Sequence, residues 1–494
     1  MVRRLLANER YGEASPLFEA AGSGRDLRVV VDLAVGEYDD PDDSHKVDLL
    51  RGLVASKTVQ SLEYDQRGAP ASAERIGSPF GEAAVGWIQA LPEVEPGLTS
   101  HRVVYCDGDE VSTTAIVGDL GRGEIAREDT TYSKYTADEA AKRRHDDSVA
   151  MAAAFESGAD VLATNRPFLL SGGWRMPGQM TVCDPTEALA VVGLFLRTRS
   201  TFVAWATPET GPLMQLNRGL YFWVGTRALL PAGWRWFSYC AASDAGDPHA
   251  PMTFLAQSLF QRVARALRKR DSLMLNMSSR QDNDVAEDAL TDLDHVLVLL
   301  VGAFDVLARV AHRSTSPSGA EKQAGWRRDD WLKKLTVAAP DLGALAAEGT
   351  EGADLLKVLS ILRNTVHGPA LQALGLAAGP RRRGTGVSLP ASETEALVEV
   401  LMRRGWDQNW GLAEFDAGRF HATPDLIVEH VLQAAIPLMN AMMVATPVER
   451  LVTADATPSL DAPPSSDDLN DPFAARHQES LRWQLGFTVP IRPH

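Results

Sequence analysis

An α/β domain with a parallel sheet, followed by an all-α bundle, is the fold class the sequence predicts, and three stretches predict it. In Asp147–Leu170, DSVAMAAAFESGADVLATNRPFLL, the residues Met151, Ala154 and Phe155 keep helical spacing and Gly158 stops the helix. Ala159 to Thr164 is then a short apolar run suited to a buried strand. Asp26–Ala34, DLRVVVDLA, is a β-branched run ending on Asp32, as the first strand of a buried parallel sheet would. From Pro251 onward, apolar residues recur at helical spacing almost throughout. The expected divisions are an α/β domain over residues 1–172, an aromatic-rich bridging segment over 173–250, a helical bundle over 251–450, and a largely disordered acidic tail over 451–494.

The chain has 494 residues, more than one ordinary core accommodates. Its hydrophobic share of 45% and charged share of 23% are those of a globular protein. A formal net charge of -16 argues against a surface built for indiscriminate nucleic-acid binding, so contact with RNA would need local basic patches. Cys106, Cys183 and Cys240 are widely spaced and form neither a zinc pattern nor a disulfide framework, which fits a reducing cytoplasm. The N-terminus lacks a signal-peptide apolar region. The apolar run Val296–Phe304 is too short to span a bilayer, so no membrane span is expected.

In the first domain Asp32 sits at the end of the first strand, where open α/β sheets place their sites. Asp147 is expected near the N-terminal end of its helix, and Thr164 and Asn165 at the carboxyl edge of the sheet. Asp32 would otherwise cap the segment after it. Lys46–Glu63 carries Val47, Leu50, Leu53, Val54 and Leu62 broadly at helical spacing, with a break near Gly52. Glu63 at its end reads, from the residues alone, as part of a solvated face. Glu82–Leu91 reads as a short helix, Arg102–Cys106 and Ser112–Val117 as strands, and Arg127–Asp146 as a polar, charged insertion.

The phrase GADVLATN resembles the closing segment of PIN-domain nucleases. The resemblance runs from about Leu27 to Leu170, and the strand order it implies would bring Asp32 beside Asp147. It implies that Asp32, Asp147 and Glu63 hold Mg²⁺ or Mn²⁺, which would activate water for attack on an RNA phosphodiester, with Asn165 in a binding role. Arg166 stands where family members often carry an aspartate.

Trp174, Trp205, Trp223, Trp234 and Trp236, among Phe222, Phe237 and Tyr239, either stack unpaired bases or fill a core between the halves. Pro185–Arg197 reads as a helix packing beside them. Thr253–Arg270 and Ala286–Ala311 read as bundle helices, the first with a basic outer face.

In Asp354–Pro369, DLLKVLSILRNTVHGP, the i,i+4 pair Arg363 and His367 projects from one helical face. Gly368 and Pro369 end that helix. An arginine can hold a phosphate and a histidine can move a proton, a combination that cleaves RNA without metal; the same two cations also suit helix-end carbonyls. This region, roughly Ser272 to Ala445, resembles HEPN domains, whose ribonucleolytic members carry an arginine, a neighbouring polar residue and a downstream histidine. Arg363, Asn364 and His367 match in type, with closer spacing than is usual there. Arg381, Arg382 and Arg383 could hold an RNA backbone. Ser392 and Glu395 suggest a capping box for Thr394–Arg404, and Pro424–Met443 supplies the last apolar helix.

Together the two resemblances imply an intracellular endoribonuclease of toxin or antiviral-defence type, with RNA as partner and a homodimer through the helical domain. The competing expectation is a non-catalytic sensor or scaffold that binds a protein partner.

Overall fold

In the computed structural model the described residues are 25–33, 41–65, 75–91, 98–105, 109–116, 132–170, 180–204, 214–244, 251–279, 281–366, 368, 370–377, 383–389, 393–416, 418–452, 458 and 475–487. The N-terminal elements are β1 (Leu27–Asp32), α1 (Pro41–Val54), β2 (Val59–Tyr64), β3 (Arg75–Ser78), β4 (Gly81–Ala84), β5 (Gly86–Ala90), β6 (Leu98–Val104), β7 (Glu110–Ile116), α2 (Ala137–Glu156), β8 (Val161–Ala163), α3 (Pro167–Leu170), β9 (Thr181–Cys183) and α4 (Pro185–Thr198). Seven of these strands form one sheet in the order β7-β6-β5-β2-β1-β8-β9. Its middle is parallel, through β5–β2–β1–β8–β9. β6 and β7 extend one edge in antiparallel fashion. The chain leaves β1 toward β2 on one side and returns to β8 on the other, so the carboxyl ends of β1 and β8 form a topological switch point, the usual place for a site in an open α/β sheet.

Helices cover both faces. Val30, Leu62, Tyr64 and Ile88 pack against Ala150, Met151 and Ala154 of α2. Leu27, Val29 and Val31 pack with Leu49, Leu50 and Leu53 of α1 and Leu189, Val192 and Leu196 of α4. The three-residue β8 is buried throughout, and Gly158, at φ +71, makes the tight exit from α2 that leads into it.

The remaining elements are β10 (Val203–Ala204), β11 (Met214–Gln215), α5 (Arg218–Leu229), α6 (Gly233–Ser243), α7 (Pro251–Ser278), α8 (Asn283–Thr315), α9 (Asp329–Ala338), α10 (Pro340–Leu345), α11 (Glu351–Asn364), β12 (Gln372–Ala377), β13 (Arg383–Ser388), α12 (Thr394–Arg404), α13 (Asp407–Trp410), β14 (Ala413–Asp416), β15 (Arg419–Ala422), α14 (Pro424–Ala445) and α15 (Ala475–Gln484). α7 and α8 form a long pair around which α5, α6, α11, α12 and α14 share one core. A four-stranded sheet of order β12-β13-β15-β14 interrupts the expected all-helical region. α14 is long and apolar enough to cross a membrane by composition, yet it is mostly buried, as a bundle's core helix is.

Several local expectations are corrected. Lys46–Glu63 is helix only as far as Val54, and Glu63 lies on β2. Glu82–Leu91 forms strands. A β-carbon on Gly86 would come within 2.8 Å of Val104 O, a close backbone approach that an isolated helix would not require. Much of the supposed polar insertion belongs to α2, which begins at a complete Thr136–Glu139 capping box, so Asp147 sits well inside the helix. Thr394 does open α12, but its N-cap Glu393 makes no side-chain capping bond, and Ser392 lies outside the described residues.

Among the aromatic residues, Tyr221, Phe222 and Trp236 are buried in the helical core, with Trp223, Phe237 and Tyr239 packed against it. Trp174 and Trp205 lie outside the described residues. The tail, expected to be largely disordered as far as about Leu481, provides α15, which begins earlier, at Ala475. Its Trp483 joins the core under the sheet, while Leu481, Leu485 and Phe487 in and after it join the helical core. Gly193 and Gly225 make room for it: a β-carbon at either would meet Gln484 O at 2.8 Å or Leu485 Cδ1 at 2.6 Å. Two buried arginines satisfy its terminal carbonyls, Arg197 Nη1 donating to Gln484 O at 2.8 Å and Arg270 Nη1 to Leu485 O at 2.6 Å. Asp271 pairs with both guanidinium groups, which hold its carboxyl below the usual range against the opposing effect of burial.

Candidate functional site

At the switch point the parallel strands deliver Asp32 from the end of β1 and Thr164 to Arg166 from just beyond β8. α2 lies across this face and contributes Asp147, while Tyr132 approaches from before that helix. Asp32, Asp147, Thr164 and Arg166 are all buried.

The Arg166 guanidinium lies between the two acids. Its Nε donates to Asp32 Oδ2 at 2.6 Å, its Nη2 reaches Asp32 Oδ1 at 3.5 Å, and its Nη1 donates to Asp147 Oδ1 at 3.0 Å. Thr164 Oγ1 donates to Asp32 Oδ2 at 2.8 Å, and the Tyr132 hydroxyl donates to Asp147 Oδ2. Each of the four carboxylate oxygens therefore has a donor from the protein itself. Burial pushes the Asp147 carboxyl up, opposed by its bonds to Tyr132 and Arg166 and by the charge of Arg166. Arg166 is held in its cationic form by the acids around it. Burial also pushes up the nearby Tyr64 phenol, keeping it neutral.

Asp32 and Asp147 are thus brought together, as expected. Glu63 is not brought to them. In the parallel register Asp32 pairs with Tyr64 and Glu63 with Val31, so Glu63 shares the face of Val31, opposite that of Asp32. There Arg51 Nε donates to Glu63 Oε1 at 2.5 Å. Asn165 follows Thr164 at the sheet edge and is half-buried. Among the described residues, no group of three or more His, Cys, Asp or Glu side chains is arranged to hold a metal ion. Asp32 and Asp147 as arranged do not fit a divalent cation, because a fixed positive charge already lies between them and their oxygens are engaged. Tyr132 escaped sequence reasoning: it lies ahead of α2 with no periodic signal of its own. Arg166 was legible only as a departure from a motif.

In the helical region, α11 ends at Asn364, with Thr365 as its cap. Arg363 is half-buried and acts electrostatically on Asp305 of α8 together with Arg262, Arg309 and Arg328; Asn364 is exposed. His367, Arg381 and Arg382 lie outside the described residues, and Arg383 opens β13. No protein-family model, curated protein or solved structure matches the chain.

Proposed function

We propose that this chain is a non-catalytic binding protein: a PIN-like α/β domain and a HEPN-like helical bundle serve as a scaffold for a protein partner, and the ancestral-looking acidic pair has become a structural ion-pair network. One observation carries this reading, the Arg166 guanidinium lodged between Asp32 and Asp147. A metal-dependent ribonuclease needs carboxylate oxygens free to coordinate a cation and position water. An arginine is permanently charged, so it neutralises the acids at every working pH and repels a second cation. Its planar fork also fixes the two side chains toward each other. The acidic balance of the whole chain favours a basic partner surface over a nucleic-acid backbone.

The test incubates the full chain with a mixed RNA pool, once with Mn²⁺ and once with EDTA. No cleavage under either condition is the expected outcome, and Mn²⁺ should leave the melting temperature unchanged. Cleavage that EDTA abolishes and that Asp32→Asn removes would overturn the proposal in favour of the PIN-like site. EDTA-resistant cleavage lost in His367→Ala would overturn it in favour of the Arg363 and His367 pair.

A further inference from the structure

A cavity of about 560 Å³ lies where α8 ends and α9 begins, and none of the acidic-pair residues lines it. His312, Gln323, Arg328, Asp330, Trp331 and Lys334 are among the residues lining it. Its volume is within the range of small-molecule sites. The wall is built rather than incidental. α8 closes on Ser316 in the left-handed conformation at φ 46, and Gly319 takes φ +125, so the connecting loop folds back over the start of α9. Lys334 Nζ donates to Ser318 O at 3.1 Å and Arg328 Nη1 to Lys322 O at 3.0 Å, which fastens that loop and holds both cations at the opening.

His312 supplies the decisive chemistry. It is 8% exposed, and its Nδ1 accepts a hydrogen bond from Trp331 Nε1 at 3.1 Å. An acceptor nitrogen carries no proton, so in the neutral ring the proton is on Nε2. Among the described residues Nε2 has no partner, and the ring lines the cavity. The tryptophan thus fixes the tautomer that offers an N–H donor. Beside it is the N-terminus of α9, where the N-cap Arg328 makes no side-chain capping bond to the first-turn amides of Asp329, Asp330 and Trp331. A neutral imidazole donor, two cations and uncapped amides converge on one space, a donor set that matches phosphate oxygens. The carboxylates of Asp329 and Asp330 at the same rim are acceptors, suited to hydroxyl groups.

We propose that this cavity binds a phosphorylated ribose, the phosphate taking the donors of His312, Arg328, Lys334 and the α9 amides and the sugar hydroxyls facing Asp329 and Asp330. The proposal is independent of whether the acidic pair is catalytic.

Calorimetric titration of the full chain with AMP tests it, alongside inorganic phosphate and citrate, with tryptophan emission followed in parallel. AMP should bind at one site per chain, more tightly than phosphate or citrate, and perturb the emission of Trp331. Arg328→Ala and Lys334→Ala alter exposed side chains and each removes one bond to the loop, so their melting temperatures should fall by no more than a few degrees, about what a single exposed hydrogen bond is worth, while each weakens AMP binding by about tenfold. Asp330→Asn should weaken AMP binding and spare that of phosphate. The absence of AMP binding at millimolar concentration, equal affinity in an Arg328→Ala, Lys334→Ala double variant, or citrate binding as tightly as AMP would each overturn the proposal.

Discussion

Replacing Arg166 by Ala would leave Asp32 and Asp147 facing each other across a buried space, two like charges with no cation between them. Removing one partner from a buried ion pair costs roughly 3 to 5 kcal/mol, and a urea titration of Arg166→Ala should show a loss of that order. Arg166→Asp should behave differently when Mn²⁺ is added: three acids would then converge, and the metal should raise the melting temperature of this variant and not that of the parent. A parent protein stabilised by Mn²⁺ would show that Arg166 yields its place. At this scale much was legible. Asp32 ends an apolar run and so could be placed at a strand end, and Asp147 could be assigned to the helix before β8, though not to its interior, because the polar start of that helix gives no apolar period. The partner between them could not, because nothing in a sequence says whether an arginine beside two acids turns inward or toward solvent.

Among the elements, the long helices and β1 were readable because their apolar periods are unbroken, whereas β4 and β5 were misread as helix. GEAAVGWIQAL has few β-branched residues, and its two-residue alternation begins only after Gly86. Glu63 was misplaced for a related reason: Leu53, Val54 and Leu62 fit a helical period by chance across the turn at residues 55–58. A strand one residue out of phase carries its side chains to the other face, and that phase separates Glu63 from Asp32. α15 was missed because its ARHQESLRWQ is largely polar and offers no apolar stripe. Its docking relies on small residues elsewhere. Gly193→Val would push side-chain atoms into Gln484 and should lower stability by about 1 to 3 kcal/mol, read from the urea midpoint, whereas Gly349→Ala lies where nothing approaches within 4 Å and tests only the cost of a positive φ.

For the molecule as a whole, division into an α/β half and a mainly helical half was legible from the change in apolar period near Pro251, but the seam between them was not. pH acts on the whole through two histidines, His101, which is buried, and His430, which is half-buried. Burial lowers the His430 imidazole to about 4, where its Nδ1 accepts from Trp410 Nε1 at 2.9 Å, and His101 is lowered by burial as well. An unfolded histidine titrates near 6.5, so between that value and about 4 the unfolded chain binds more protons than the native one. Stability should therefore be full above pH 6.5 and fall as the solution is acidified toward pH 4. His430→Gln should flatten that part of a urea midpoint against pH curve, and an unchanged slope would remove His430 from the account. The seam has a kinetic consequence of its own. Arg197 meets Gln484 across 287 residues of chain and Arg270 meets Leu485 across 215. Closing loops of that length costs entropy before any contact repays it, so these bonds should form after the folding transition state and break before it on the return. Leu485→Ala should then leave the refolding rate almost untouched and accelerate unfolding, making the docked helix a determinant of how long the native state lasts.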